Sequence, residues 1–360
     1  MSNGHEQVDL VGRVVAVLRR IGTFWLGRPY YQQVLFVLAI LLLKNAFDIE
    51  LKNIQEAYLP GVQEFPRAVG YFSGSYGQVV IAAALGVTTT TQWVLLHVLL
   101  IITALTVSFW LIGRTGSTTR SFLILALAAA TATSSLFVSI GKYDVITYLG
   151  AVILALSRTL PAATLGALLM ASGNPEQSII ASFALLVLSF ASEFRDIRKR
   201  AVAAILATTL TWLSVQLWFN VSGMTVSRID LLPEYLAESL ARVISYPGTA
   251  FWSWFGVGWL VVALVAVSIH RNSRIWALLS LLIIPVSVTV ITADGARVFG
   301  MVALPSYLMC ARWLSSRCIS VVGNQQLVVG ALFAGLVLLP SGITGPGWTF
   351  EQLFGVLARW

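Results

Sequence analysis

Apolar runs separated by short polar turns repeat along almost the whole chain. The first runs from about Gln32 to Phe47 and the second from about Trp93 to Ile112. A third ends at Gly141-Lys142-Tyr143-Asp144, a sixth at Arg195–Arg200 and a seventh, Ala201 to Asn220, at the second large loop. Two more are separated by the polar turn His270–Arg274; the run after Thr292–Arg297 reaches Arg312–Arg317, and the last ends near Pro340. Most approach the roughly twenty residues that carry a helix across a bilayer. The pattern predicts an all-α polytopic membrane protein with about eleven transmembrane helices, within a range of roughly nine to twelve. Two runs, Val145–Ser157 and Leu160–Ala171, are too short for a full span. They read as one kinked hairpin that never crosses completely, or as two short helices sheltered by neighbours.

Residues 1–31 carry Arg13, Arg19 and Arg20 among valines and leucines without a small-residue cleavage site, which predicts a cytoplasmic, interfacial amphipathic helix. Residues 32–360 read as a single membrane domain with outer loops at about 48–92 and 221–251. The second loop places Leu232, Tyr235, Leu236, Leu240 and Val243 near one helical face, as in a helix lying on the membrane surface. Trp25, Tyr30, Trp93, Trp252, Trp254 and Trp313 near helix ends are expected in the aromatic belts.

Composition sharpens this picture. With 58% hydrophobic and 11% charged residues, the chain is too apolar for a soluble globular domain. A net charge of +8 suggests nucleic acid in a soluble protein, but here the excess sits in short turns, so no nucleic-acid partner is expected. With the N-terminus cytoplasmic, the inner segments hold 15 of the 23 Lys and Arg and 4 of the 15 Asp and Glu. A bilayer requires inner bases but not outer acids, so the 11 outer acids need another reason. Cys310 and Cys318 lie toward the cytoplasmic side and read as structural thiols.

Five outer segments hold the ionisable residues: FDIE after the first helix, GKYD, NPEQ, SRID with PEYLAES, and DGAR. Asp48 and Glu50 lie just past an apolar helix, where partial desolvation suits a carboxylate to general-base work. Glu176 sits in a turn between short apolar segments, where Asn174-Pro175 also makes a good helix start; Gln177 follows it. Asp144 is placed either to act or to cap the next helix, with Lys142 neutralising it and Tyr143 between them. Arg297 is an outer arginine, suited to bidentate phosphate binding or to an internal pair with Asp294. Arg228, beside Asp230, is a weaker candidate of the same type. His5, His97 and His270 are scattered, so neither a histidine metal site nor a Ser-His-Asp set is visible, and there is no P-loop. Ser73–Gly77 lacks nucleophile-elbow spacing and reads as a flexible loop. Asn220-Val221-Ser222 fits a glycosylation acceptor by chance. Lys44 and His97 are the ionisable candidates inside spans, each expected to snorkel or pair. Carboxylates alone can hold a divalent metal or work without one, so no cofactor is required and a metal stays open.

This layout resembles the GT-C class of integral-membrane glycosyltransferases, through FDIE after the first helix, short helices after the third span and the amphipathic outer loop. The resemblance covers most of the layout and little exact sequence. FDIE interrupts the paired-acid motif often found in the first loop of that class, and the large soluble C-terminal domain of many members is missing. The resemblance implies a polyprenyl-phosphate-linked sugar donor, a glycan or lipid-linked acceptor, contact with membrane lipids and an active face outside the bacterial cytoplasmic membrane. It implies Asp48 as leading catalytic acid, Glu50 as its understudy and Glu176 or Asp144 next, with Arg297, Arg228 and Lys142 toward the phosphate. Three other readings stay open: a polymerase of the O-antigen type using lipid-pyrophosphate repeats, a flippase or other transporter, and a non-catalytic assembly subunit.

Overall fold

In lipid, a backbone must satisfy its own polar groups, and so apolar a chain has helices as its one economical solution. A computed structural model describes residues 3–45, 47, 49, 51–70, 74–224, 232–245, 247–289, 292, 295–321 and 324–339. Among these the architecture is all-helical, without strands. Five helices are long and apolar enough to cross a membrane, or seven if each of two bent pairs is one span.

In chain order, α1 is Asn3–Leu26 and α2 is Tyr30–Lys44, meeting at a bend of 119°. The first loop folds into α3, residues 51–63 with a π turn at Ile54–Tyr58, and α4, Tyr76–Ala84. Then follow α5, Thr90–Gly113, α6, Ser117–Ala129, and α7, Thr131–Val138. Three short apolar helices come next: α8, Asp144–Leu156, α9, Leu160–Gly173, and α10, Pro175–Leu188. A 3-10 turn, Ser192–Ile197, leads into α11, Arg198–Val221. The amphipathic α12 is Leu232–Ser245. Last come α13, Pro247–Ser268, α14, Arg271–Thr289, α15, Gly295–Val321, and α16, Gln325–Leu338.

The centre of the bundle is α15. Of its apolar window 89% is buried, against 33% to 44% for the other long spans. It packs against α6, α8, α10, α13 and α14. Short α8 survives beside it because protein takes the place of lipid: every α8 residue except Leu149 and Ile153 is buried. The two short runs form two separate helices, α8 and α9, packed closely against each other. Their close approach depends on glycine. A Cβ on Gly150 would lie 2.2 Å from Met170 N, and one on Gly166 would lie 2.5 Å from Leu154 N. The bent α1 docks on α16 in the same way, through Gly22 and Gly330.

Several expectations require correction. The third apolar run is not one helix, because Ala130 adopts extended dihedrals and α6 and α7 meet at 52°. Side chains add donors at the break: Thr133 Oγ1 donates to Leu127 O at 2.6 Å and Tyr307 Oη to Ala126 O at 3.1 Å, beside the Ala130 amide that both carbonyls share. Trp25 and Trp93 are not belt anchors but fully buried core residues. Their indole N–H groups find inner acceptors, Ser121 O at 3.0 Å and Gly141 O at 2.9 Å. Nor is the Ser73–Gly77 stretch loose where it is described: Ser75 is buried, Tyr76 opens α4, and a Cβ on Gly77 would lie 2.5 Å from Ser172 Oγ. Lys44 pairs as expected, donating to the carbonyls of Leu336 and Leu339. Cys310 is a buried free thiol, while the Cys318 side chain lies outside the described residues. On α12, Leu236 and Leu240 are exposed while Ser239 turns inward and donates to Thr292 O, the division expected of a surface helix.

Candidate functional site

The turn between α7 and α8, residues 139–144, is the anchor of the polar face. Gly141 holds a φ of +101°, which favours glycine, and a Cβ there would lie 2.7 Å from Ile54 Cδ1. Trp93 clamps the Gly141 carbonyl, Gln78 Nε2 donates to Lys142 O at 3.4 Å, and Ile49 makes a parallel bridge to Ile140. The segment after α2 is thereby joined to the start of α8.

Asp144 opens α8, and its carboxylate receives Arg297 Nη1 at 2.6 and 2.7 Å. Both partners are buried, Asp144 2% exposed and Arg297 8%. Arg297 is the third residue of α15, so the pair ties together the first turns of two neighbouring helices. Its guanidinium also lies 5.4 Å from the Tyr143 ring centroid, a cation-π distance. Tyr143 meets Tyr58 edge-on at 6.2 Å, and Tyr58 stacks on Trp93 at 5.3 Å. His97 closes the array, its Nδ1 donating to Trp93 O at 3.0 Å and its Nε2 facing the Gln78 side-chain amide at 3.1 Å.

The NPEQ segment adjoins this array. A Cβ on Gly173 would lie 2.4 Å from Thr147 Oγ1, one turn into α8 from Asp144. Asn174 caps α10 by accepting from the Gln177 amide at 3.2 Å. Glu176 is half-buried in the first turn of α10, and Gln177 is buried beside it with Oε1 lacking a protein partner.

Of the expected site residues, Asp144, Arg297 and Tyr143 come together, with Lys142 in the same turn, while Glu176 and Gln177 open α10 just after Gly173, which packs on Thr147. Asp48, Glu50, Arg228, Asp230 and Asp294 lie outside the described residues. Besides Asp294, whose structure is not described, Arg297 has a partner that was not expected: Asp144, 153 residues away in sequence, binds it directly. So placed, Asp144 holds the guanidinium of Arg297. Among the described residues no three His, Cys, Asp or Glu side chains gather as metal ligands do.

Gln78, Trp93, His97 and Tyr58 were not legible as site residues. They lie on three stretches, Tyr58 in α3, Gln78 in α4 and Trp93 with His97 on α5, and the one available signal was a histidine inside an apolar run. Trp93→Phe should keep the stacking on Tyr58 but leave the Gly141 carbonyl without its donor. The expected loss is about 1–3 kcal/mol, read as a lower thermal midpoint in detergent. No family model, curated protein or solved structure matches the chain.

Proposed function

We propose that this protein is a membrane glycosyltransferase of GT-C type, moving a sugar from a polyprenyl-phosphate donor to a glycan or lipid-linked acceptor. The reaction takes place at the outer face of a bacterial cytoplasmic membrane. In this reading the five long spans, the two bent pairs and the four shorter apolar helices make eleven crossings or part-crossings.

The observation that carries the reading is the buried Asp144–Arg297 pair at the joined starts of α8 and α15. Arg297 is the third residue of the long span α15, so the pair sits at the very end of a full span, where hydrocarbon gives way to headgroups in this reading. That is a depth at which a lipid-borne phosphate can meet a fixed guanidinium. Lys44 and His97, the ionisable groups inside spans, are engaged by carbonyls, which suits a scaffold better than an ion or proton pathway and favours an enzyme over a transporter.

In the mechanism, Asp48 takes the proton of the acceptor hydroxyl, with Glu50 or Glu176 as the alternative base. The acceptor oxygen attacks the anomeric carbon, the bond from that carbon to the phosphate oxygen breaks, and the polyprenyl phosphate leaves with the electron pair. Arg297, with Lys142 and Arg228 toward the same group, stabilises the charge on the leaving phosphate. Asp144 acts as a positioning residue for Arg297.

The test is transfer of radiolabelled sugar from a panel of polyprenyl-phosphate donors in membranes containing the protein. Asp48→Asn is expected to lower transfer by about a hundredfold or more while the protein remains inserted. Wild-type transfer with full activity in Asp48→Asn would remove that residue's role, and no transfer from any donor by folded protein would sink the reading.

A further inference from the structure

The far ends of the same helices build a second polar site. Between the start of α6, the end of α8, the turn before α11 and the last third of α15 lies a cleft of about 320 Å³. Arg158, Arg200 and Arg312 all line it, about 20 Å along α8 from the Asp144 end.

Capping explains part of this cluster. Arg200 Nη1 donates to Ser157 O at 2.7 Å and Arg312 Nη1 to Leu156 O at 3.3 Å, which satisfies the carbonyl end of α8. Capping does not explain Arg158, which is exposed, nor why three guanidinium groups share one cleft. Two acids, Glu193 and Asp196, line the cleft as well, so the three guanidinium groups exceed them by one charge. Asp196 reaches Arg200 only at 3.9 Å from a side chain 77% exposed. Glu193 is taken by Ser192 Oγ at 2.8 Å and by the His270 amide at 3.1 Å.

The remaining lining is also rich in donors. Gly116 precedes α6 and no side chain caps that end, so the first amides of this 13-residue helix have no intrahelical acceptor. Thr115, Gly116 and Thr119 line the cleft at that end. Trp313 lines it too, and its buried indole N–H lacks a protein acceptor, as does the nearby Ser157 hydroxyl. Positive helix end, three guanidinium groups and orphaned donors all call for the same kind of occupant, an oxyanion with several acceptor oxygens.

We propose that this cleft binds a phosphate group, carried either by an anionic lipid headgroup or by a soluble phosphate compound. The site is separate from the glycosyltransfer reading and stands or falls without it.

Two probes distinguish the sources. Binding of inorganic pyrophosphate is measured by calorimetry on protein in nanodiscs of neutral phosphatidylcholine, and retention of phosphatidylglycerol by native mass spectrometry from mild detergent. At least one probe should bind the wild type, with affinity falling as salt rises. Arg158→Gln, a change at an exposed position that leaves both caps intact, should weaken that binding by about tenfold, and adding Arg312→Gln should weaken it further. Pyrophosphate binding assigns a soluble ligand, and retention of phosphatidylglycerol alone assigns a lipid. Binding of neither probe, or equal binding by wild type and Arg158→Gln, overturns the proposal. So does a signal lost in Arg297→Lys but kept in Arg158→Gln, because it would belong to the opposite face.

Discussion

Asp144→Ala is expected to destabilise the protein by about 3–5 kcal/mol, the usual cost of breaking a buried ion pair from one side. Arg297→Ala is expected to cost less, and the two helix dipoles give the reason. Asp144 opens α8, where the positive helix end favours a carboxylate. Arg297 stands in the first turn of α15, where the same field opposes a cation. Removing arginine therefore leaves a carboxylate in a favourable field, whereas removing aspartate leaves a buried cation in an unfavourable one. The gap between the single variants should be about 1 kcal/mol, since each dipole contributes roughly 0.3–1 kcal/mol and more where partly buried. The double variant Asp144→Leu/Arg297→Met should recover most of the loss, because an apolar substitute for both charges no longer carries a desolvation penalty. Thermal midpoints at one detergent concentration and one scan rate measure all three. Equal midpoints for the single variants would refute the dipole argument, and a double variant as poor as the worse single would refute the ion-pair argument.

The same pair marks where the sequence stopped being informative. Helical class, the short α8 and α9 runs and the surface helix α12 follow from local pattern, because hydrophobic length and periodicity are local properties. Arg297 was conspicuous for the same reason, a base at the start of an apolar run. Its pairing with Asp144 was not legible, since 153 residues separate the two in sequence. Only the packing of α8 on α15 brings them together. The α6–α7 break was hidden differently: Ala130 carries no proline or glycine signal, and the groups that add donors at the break, Thr133 and Tyr307, act through contacts with carbonyls elsewhere. Trp93 misled because position near a helix end suggests an interface, while burial depends on what packs outside that end. The three-arginine cleft was read as orientation charge, which explains an excess of bases on one side but not their convergence.

Gly150→Val should be the most damaging uncharged substitution, because it strikes the packing that holds both polar ends of α8 in place. The atoms nearest its added Cβ are backbone: Met170 N at 2.2 Å, Gly166 O at 2.5 Å and Met170 Cα at 2.6 Å. Backbone cannot swing aside as a flexible side chain does, so α8 and α9 must separate. Such contacts matter more in a membrane, where helices gain little from hydrophobic burial and rely on close approach of small residues. Ordinary overpacking costs about 1–3 kcal/mol, and a backbone collision should reach the upper end or exceed it. Separation of the helices would also draw Asp144 away from Arg297 at one end and the Ser157 carbonyl away from Arg200 at the other. Gly150→Val should therefore lower the yield of monodisperse protein in mild detergent and abolish whatever activity the Asp144 face supports. Gly12→Ala, whose added Cβ meets nothing within 4 Å, is the matched control and should behave as wild type. A folded, monodisperse Gly150→Val protein with an unchanged thermal midpoint would mean that α8 and α9 do not approach as closely as this packing requires, and the placement of both polar sites would fail with it.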